Sequence, residues 1–322
     1  MKIKTATLLF ISFLTLIAFS GKAEETHKPE KVSIGLYITS IHDIDFKQKE
    51  YTVDFWLWIK YKTRDFDFAN NLEIPQAKTI TKSFTTIDSS NGRYYLLMKL
   101  QCVMEDSWKI SNFPFDRQKL RLTIENSQFE NKDFVFVPDT LGKHFDPKFT
   151  LRGWIIDSCM ITTSKKDYET AFGDESYKTP HTEYSDFRVR LDIKRDGWGL
   201  FWKIFLGMYI AFLIAYMTFY IHADGMDSRF GLSVGALFAV IGNKYVVDSS
   251  LPESTQFTLA DTLHGVTLMF VLCIMIANAY CLLLIKKEKI EKAIKFDRII
   301  AQVLLLAYVG LNLWFVITAA QS

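Results

Sequence analysis

Hydrophobic and polar residues follow two different patterns along the chain, and the change comes near residue 197. Between residues 24 and 196, short apolar runs alternate with polar positions, which is the period of a half-buried β-strand. Turn formers such as Asn91-Gly92 separate the runs. Many short strands at this spacing predict an all-β, immunoglobulin-like sandwich. The runs are VSIGLYITSI, YTVDFWLWIKY, YYLLMKLQCVM, KLRLTIE, DFVFVP, WIIDSCMITT and DFRVRLDI.

The second half contains four continuous apolar stretches, each long enough to cross a bilayer core, which takes about 20 residues. We predict a transmembrane four-helix bundle over residues 197–322. A lysine-rich segment, KKEKIEKAIKFD, separates the third stretch from the fourth, and the positive-inside rule places it in the cytoplasm. The four stretches cover about 198–221, 229–248, 257–285 and 298–320.

Residues 1–23 have the pattern of a secretory signal peptide. Lys2 and Lys4 precede an apolar run, and Gly21 and Ala23 offer small side chains for cleavage. An uncleaved anchor is the alternative interpretation. A secreted amino terminus places the sandwich outside the cytoplasm. Three spans then bring the lysine-rich segment to the inside, and the fourth returns the chain to the outside. The two arguments agree on topology.

Composition excludes some classes of function. A formal charge of +2 on 322 residues gives no strong basic field, so nucleic acid is not the expected partner. Four cysteines do not make a disulfide framework, although a Cys102–Cys159 bridge stays open. The chain has no H-E-x-x-H or P-loop motif, and its match to G-x-S-x-G, GLSVG at residues 231–235, lies inside an apolar stretch and not at a strand-to-helix turn. We therefore expect no enzyme, no cofactor and no metal site.

The second apolar stretch has charged residues at its first end and small residues inside. On a helical wheel, one stripe combines polar, small and aromatic positions at three-to-four spacing. Such a stripe is consistent with the wall of a pore, or with a buried span whose glycines let neighbouring helices approach closely. Arg229 lies roughly 200° from Asp227 on the wheel, so both cannot face one axis equally. The stripe consists of Asp227, Gly231, Gly235, Phe238, Gly242 and Tyr245.

Several motifs, in order, resemble the pentameric ligand-gated ion channels, also called the Cys-loop receptor superfamily. The run NFPFDRQ at residues 112–118 lies between two predicted strands, and YTVDFWLWIKY resembles the second strand of that family. Lys194-Arg195 precedes the first span and Leu251-Pro252 follows the second, as in family members. The resemblance covers nearly all of the chain after residue 23. It implies a ring-shaped homopentamer with permeating ions on its axis.

The resemblance also implies a ligand site between subunits, beneath the loop at residues 164–182. A cage of aromatic faces suits an ammonium ion. Carboxylates in the loop, Glu169, Asp174 and Glu175, would titrate if protons were the agonist. The alternative for any single aromatic side chain is packing in the core of the sandwich or at an interface. The expected lining is Trp56 and Trp58 from one side, and Phe129, Tyr168, Phe172 and Tyr177 from the other.

For gating, the resemblance implies contact between sandwich loops and the spans. Asp116 and Arg195 would form a charge-assisted pair at this junction. In the pore, Asp227 would give a ring of carboxylates that favours cations, and Phe238 would form an apolar constriction. The alternatives are a helix cap for Asp227 and simple turns for the loop residues. The junction residues are Asp43, Phe113, Pro114, Asp116, Arg195 and Pro252.

The chain departs from the family pattern in places. Asp106 and Leu120 stand where the namesake cysteines would fall, as in bacterial members, and Gly207 stands where a proline is common. Bacterial members imply a location in the inner membrane, with the sandwich in the periplasm. The unusual pore stripe leaves open a receptor of this architecture that does not conduct. His264, in the third span, is either a proton relay or a hydrogen-bonded link between helices.

Overall fold

The computed structural model describes residues 28–146, 150–175, 177, 179–222, 225–253 and 255–321. The proposed signal peptide at residues 1–23 lies outside them. The described chain forms a β-sandwich followed by four long helices, which confirms the predicted order of an all-β domain and a helical bundle.

The sandwich consists of two sheets. The strands are β1 (Glu30–Asp45), β2 (Glu50–Tyr61), β3 (Leu72–Glu73), β4 (Ala77–Ser90), β5 (Arg93–Glu105), β6 (Arg117–Asn126), β7 (Phe134–Pro138), β8 (Trp154–Tyr168) and β9 (Thr182–Arg195). The strand order is β4-β5-β2-β1-β7 in the five-stranded sheet and β3-β6-β9-β8 in the four-stranded sheet. Neighbours are antiparallel except β1 and β7, which run parallel.

Alternation along the strands decides which side chains enter the core. In β2, Phe55, Leu57 and Ile59 are fully buried, whereas Trp56 and Trp58 between them lie on the outer face. Successive side chains of a strand point to opposite faces, so one register fixes the whole set. The buried positions of both sheets join in one hydrophobic cluster.

The strand β4 was not predicted. Its sequence, AKTITKSFTTIDSS, is mostly polar, and nearly all of its side chains are exposed. As the first strand of its sheet, it pairs only with β5. An edge strand with little core contact carries no hydrophobic alternation, and therefore gives little signal in the sequence.

Four helices follow, and each is long and apolar enough to cross a membrane. The fourth begins at Ile290, well before the predicted start at residue 298, so most of the lysine-rich segment is helical. Lysine and glutamate are good helix formers, which explains why this segment extends the helix instead of forming a loop. The helices are α1 (Gly197–Met217), α2 (Met226–Ser249), α3 (Leu259–Lys286) and α4 (Ile290–Gln321).

Polar side chains connect the helices inside the bundle. Asn243 of α2 donates a hydrogen bond to the Ile204 carbonyl at 3.0 Å, and His264 of α3 lies 2.9 Å from Asn243 Oδ1. A Cβ atom at Gly207 would lie 3.3 Å from the Asn243 amide nitrogen, so this glycine allows α1 and α2 to approach. These contacts favour the structural role of His264 over a proton relay.

All four cysteines carry free thiols, so the Cys102–Cys159 bridge that the sequence left open is not formed. Cys102 is buried in the core of the sandwich from its position on β5. Cys159 lies on β8 in the other sheet and is only half-buried.

An ion pair lies inside the bundle at the end away from the sandwich. Arg229 of α2 is 2% exposed, and its Nη1 is 2.8 Å from Asp297 Oδ2 of α4. The same guanidinium donates to the Ile221 carbonyl beyond α1. A buried guanidinium requires such partners because its charge loses its hydration. The pair therefore ties three helices together where α2 begins.

We expect Asp297→Asn to destabilise the protein by about 3–5 kcal/mol, because it leaves the Arg229 charge buried without a counter-ion. Thermal unfolding in detergent micelles would measure the loss. The matched control is Asp227→Asn, which removes an exposed carboxylate from the same end of α2. The double variant Arg229→Met/Asp297→Leu should recover most of the stability. An Asp297→Asn protein that melts with the wild type would contradict this assignment.

Candidate functional site

The sandwich and the bundle meet at an ion pair. Arg195, the last residue of β9, places its Nε 2.7 Å from Asp116 Oδ1 and its Nη2 3.3 Å from Asp116 Oδ2. Its backbone N–H also donates to the Asp116 carbonyl at 3.1 Å. Gln118 donates from Nε2 to Asp116 Oδ2 at 2.6 Å. A bidentate contact between a guanidinium and a carboxylate fixes the relative orientation of the two side chains and also adds electrostatic attraction.

Aromatic rings enclose the Arg195 guanidinium. Its central carbon lies 4.1 Å from the ring centre of Trp154, 4.7 Å from Phe46 and 5.2 Å from Phe113. Arginine stacks well on aromatic faces because its charge is delocalised and weakly hydrated. The pair is thus shielded from water on several sides.

Apolar side chains continue from the sandwich loops into the bundle. Phe46, Ile110 and Phe113 belong to the same buried cluster as Phe201 of α1 and Leu259 of α3. The backbone also crosses the junction, since the N–H of Leu259 donates to the Ser111 carbonyl at 2.7 Å. The two domains are therefore one packed body at this point.

The remaining predicted junction residues have different surroundings. The Pro114 carbonyl lies so close to Gly197 that a Cβ there would be 2.3 Å from it. Pro252 follows α2 and lines a pocket of about 230 Å³ with Asp248 and Asp261. Asp43, near the end of β1, is exposed and lies 2.7 Å from Nδ1 of His42.

A pocket of about 330 Å³ lies at the end of the four-stranded sheet farther from the bundle. Three aromatic rings form one side of it. The Tyr168 ring is 5.4 Å from that of Phe172 and 5.8 Å from that of Tyr184. The other lining residues are Glu73, Glu125, Asn126 and Ser127.

The predicted ligand residues divide between this pocket and other places. Tyr168 and Phe172 line it, but Phe129 packs edge-on against Phe66 with ring centres 5.1 Å apart. Tyr177 contacts Lys132, whose Nζ donates to the Tyr177 hydroxyl at 3.3 Å. Neither side chain lines this pocket.

The two tryptophans lie on the outer face of the other sheet. Trp56 meets the Phe84 ring of β4 at 5.7 Å between centres. Trp58 lies over Gly35 and donates from Nε1 to Asp139 Oδ2 at 3.0 Å. Within one chain, the tryptophans and the aromatic pocket are therefore separate features.

Sequence reasoning missed Tyr184, Glu125 and Glu73 in the pocket. Tyr184 lies on β9 opposite Lys166 of β8, so the pairing of the strands places its ring beside Tyr168. Glu125, near the end of β6, accepts a hydrogen bond from the Tyr168 hydroxyl at 2.8 Å. The only sequence signal was a carboxylate at the end of an apolar strand.

Burial raises the pKa of Glu125 above its ordinary value, and the nearby Asp186 and Glu73 carboxylates raise it further. The hydrogen bond from Tyr168 and the charge of Lys166 oppose this increase in pKa. Aromatic faces beside two carboxylates form an environment that favours a small organic cation. Such a cation would also stabilise the ionised form of Glu125.

The predicted pore stripe lies entirely on the exposed side of α2. Phe238 is 66% exposed and Tyr245 is 76% exposed in the single chain. Asp227, Gly231, Gly235 and Gly242 are exposed as well. The opposite side packs on α1 and α3. Its buried residues are Met226, Arg229, Ser233, Ala236, Val240 and Val247.

A β-sandwich joined by a buried charged contact to four membrane-length helices is the architecture that the motifs led us to expect, and comparison with known proteins agrees. A glutamate-gated chloride channel of Drosophila melanogaster is 22% identical over 277 residues, 76% of this chain and 57% of that protein. A gamma-aminobutyric acid receptor subunit gamma-4 of Gallus gallus is 18% identical over 288 residues, 81% of this chain and 61% of that protein. No family model matches the chain.

The chain spans about three fifths of the length of the curated relatives it matches. These relatives confirm the resemblance to the pentameric ligand-gated ion channel superfamily that the motifs indicated. Both are named as a channel or a receptor subunit, which agrees with the expectation that the chain is not an enzyme.

The raised pKa of Glu125 predicts a pH-dependent stability. Between its ordinary and its raised pKa, the folded protein binds more protons than the unfolded chain, so stability decreases as pH rises through that window. Glu125→Gln should remove this decrease while keeping an acceptor for Tyr168. Melting temperatures of both proteins, recorded across the acidic range, would measure it.

Tyr168→Phe is the matched control. It removes the hydrogen bond that favours the ionised carboxylate, so it should move the window to higher pH. Parallel melting curves for wild type and Glu125→Gln at every pH would show that the Glu125 pKa is not raised.

Proposed function

We propose that the protein is a homopentameric ligand-gated ion channel of a bacterial inner membrane, with the sandwich in the periplasm. The observation that carries the proposal is the exposed stripe of α2, which has Asp227 at one end and the apolar ring of Phe238 in the middle. Copies of one helix arranged around an axis enclose water, which a single helix cannot do. The junction at Asp116 and Arg195 connects such a ring to the sandwich.

For the ligand, we propose a small molecule that carries an ammonium group, either an amine or an amino acid. Tyr168, Phe172 and Tyr184 offer ring faces, and Glu73 and Glu125 offer negative charge. One relative is named for glutamate and another for gamma-aminobutyric acid, and both compounds carry an ammonium group. In the assembled ring, Trp56 of one subunit would approach the pocket of its neighbour.

Protons are the second candidate agonist, because the raised pKa of Glu125 lies closer to neutral pH than that of an ordinary glutamate.

A receptor that does not conduct is the alternative for the whole protein. Its support is Phe238, since five phenyl rings in one plane would close a narrow pore.

Reconstitution tests the proposal directly. The purified protein should assemble with the mass of five subunits, and the assembly should pass current when amines, amino acids or acidic buffer are applied.

For an amine agonist, Tyr184→Leu should raise the half-maximal activating concentration by roughly tenfold, because it removes a cation–π contact. Tyr95→Leu, on the other sheet, is the matched control. A monomer in lipid, or silence toward every agonist in a correctly assembled pentamer, would contradict the channel.

Selectivity for cations follows from the charges at the start of α2. Arg229 is buried against Asp297, so Asp227 is the exposed charged side chain at this end of the helix. A ring of carboxylates concentrates cations at a pore mouth. The relative named as a chloride channel makes anion selectivity the alternative.

Reversal potentials in asymmetric salt distinguish the two outcomes. The wild type should reverse near the potassium equilibrium potential, and Asp227→Asn should shift toward zero because the ring charge is lost. Asp88→Asn, which neutralises an exposed carboxylate in β4, should leave the reversal potential unchanged. A wild type that follows the chloride gradient would overturn the assignment.

A further inference from the structure

Three possible metal ligands meet at the base of the loop between β8 and β9. They are Asp167 of β8, His181 immediately before β9, and Glu183 of β9. One ligand atom from each lies within 4.8 Å of the others. Asp167 and His181 are exposed and Glu183 is half-buried, so an ion from solution has access to all three.

Strand pairing explains why these side chains converge. Asp167 and Glu183 are directly opposite in the antiparallel ladder, so their side chains lie on one face of the ribbon. His181 precedes Glu183 by two positions and therefore takes the same face. Tyr168 and Tyr184 are the adjacent residues and take the other face, toward the aromatic pocket. The ribbon thus presents the pocket on one side and the three ligands on the other.

The distances suit a metal better than a direct hydrogen bond. His181 Nε2 lies 3.6 Å from Glu183 Oε1, which is too long for a hydrogen bond. Two ligands of a tetrahedral ion with bonds near 2.0–2.1 Å lie about 3.4 Å apart. Small side-chain rotations would therefore place an ion between these atoms and the Asp167 carboxylate.

The donor set selects the class of ion. One imidazole with two carboxylates is a set that zinc and its neighbours accept, with water in a remaining position. Calcium is bound by oxygen ligands, so an imidazole nitrogen in the set favours zinc and its neighbours over calcium. Lys165 is a competitor, since its Nζ lies 3.2 Å from Glu183 Oε2.

We propose that Asp167, His181 and Glu183 bind a divalent transition-metal ion, with Zn²⁺ as the reference ion, on the face of the β8–β9 ribbon opposite the aromatic pocket. The ion links the two strands where the loop begins. This site does not depend on the proposed channel, because it lies within one chain and needs neither a pore nor an agonist.

Calorimetric titration of Zn²⁺ into the full-length protein, stripped of metal with a chelator, tests the proposal. The wild type should bind one ion per chain, and His181→Ala and Asp167→Asn should each weaken binding by about tenfold or more, since loss of a ligand costs at least as much as loss of its support. His144→Ala is the matched control, because His144 lies elsewhere in the sandwich against the Leu36 carbonyl.

Lys165→Gln gives the opposite result, which no unfolded variant can imitate. Removal of the competing ammonium frees a Glu183 oxygen and removes a repulsive charge, so Zn²⁺ should bind several-fold more tightly. X-ray absorption of the zinc complex should show one imidazole among oxygen ligands. Zinc binding that is equal in wild type, His181→Ala and Asp167→Asn would overturn the site, as would weaker binding in Lys165→Gln. Neither result bears on ion conduction, which is measured separately.

Discussion

The contact between Arg195 and Asp116 is the constraint on which the arrangement of the two domains depends. Arg195 ends β9, Gly197 begins α1, and only Asp196 separates them. A strand that passes into a helix through one residue cannot move without turning that helix. The ion pair fixes the same point to the β6 side of the sandwich, through both side chains and backbone. The aromatic rings around the guanidinium exclude water and so strengthen the electrostatic attraction.

Strand β9 connects this junction with the aromatic pocket. Its 14 residues, Thr182–Arg195, span about 45 Å at the usual rise of a strand. Tyr184 lies near one end and Arg195 at the other, so in the proposed channel a ligand on Tyr184 would act on the same continuous strand that holds the base of α1. A ligand shifts an equilibrium only through different affinities for two arrangements. In the proposed channel, the part of the molecule that would change between two arrangements is the packed junction around Phe113 and Leu259. There the sandwich and the bundle share one core.

The sequence predicted those features whose cause is local. Alternation in β2 and the long apolar runs specify strands and spans because burial acts on each residue separately. It failed for β4, which has little apolar surface to bury, and for the start of α4, where helix-forming charged residues resemble a loop. It also failed for Tyr184, Glu125 and the Asp167–His181–Glu183 group. Their significance comes from register across β6, β8 and β9, which no single stretch of sequence contains.

The charges at the start of α2 argue that this helix does not stand alone in lipid. Asp227 and Arg229 are two positions apart, and the fold separates them completely, with Arg229 inside the bundle and Asp227 outside it. A carboxylate at the edge of a hydrocarbon layer needs water or a partner. Along the same exposed face, three glycines are interspersed with large side chains such as Phe238 and Tyr245, while α1 and α4 carry exposed apolar residues such as Trp202 and Leu306. This distribution of charged, small and apolar side chains supports the proposed arrangement, in which α1 and α4 would face lipid and the exposed face of α2 would face water enclosed between several copies of the chain.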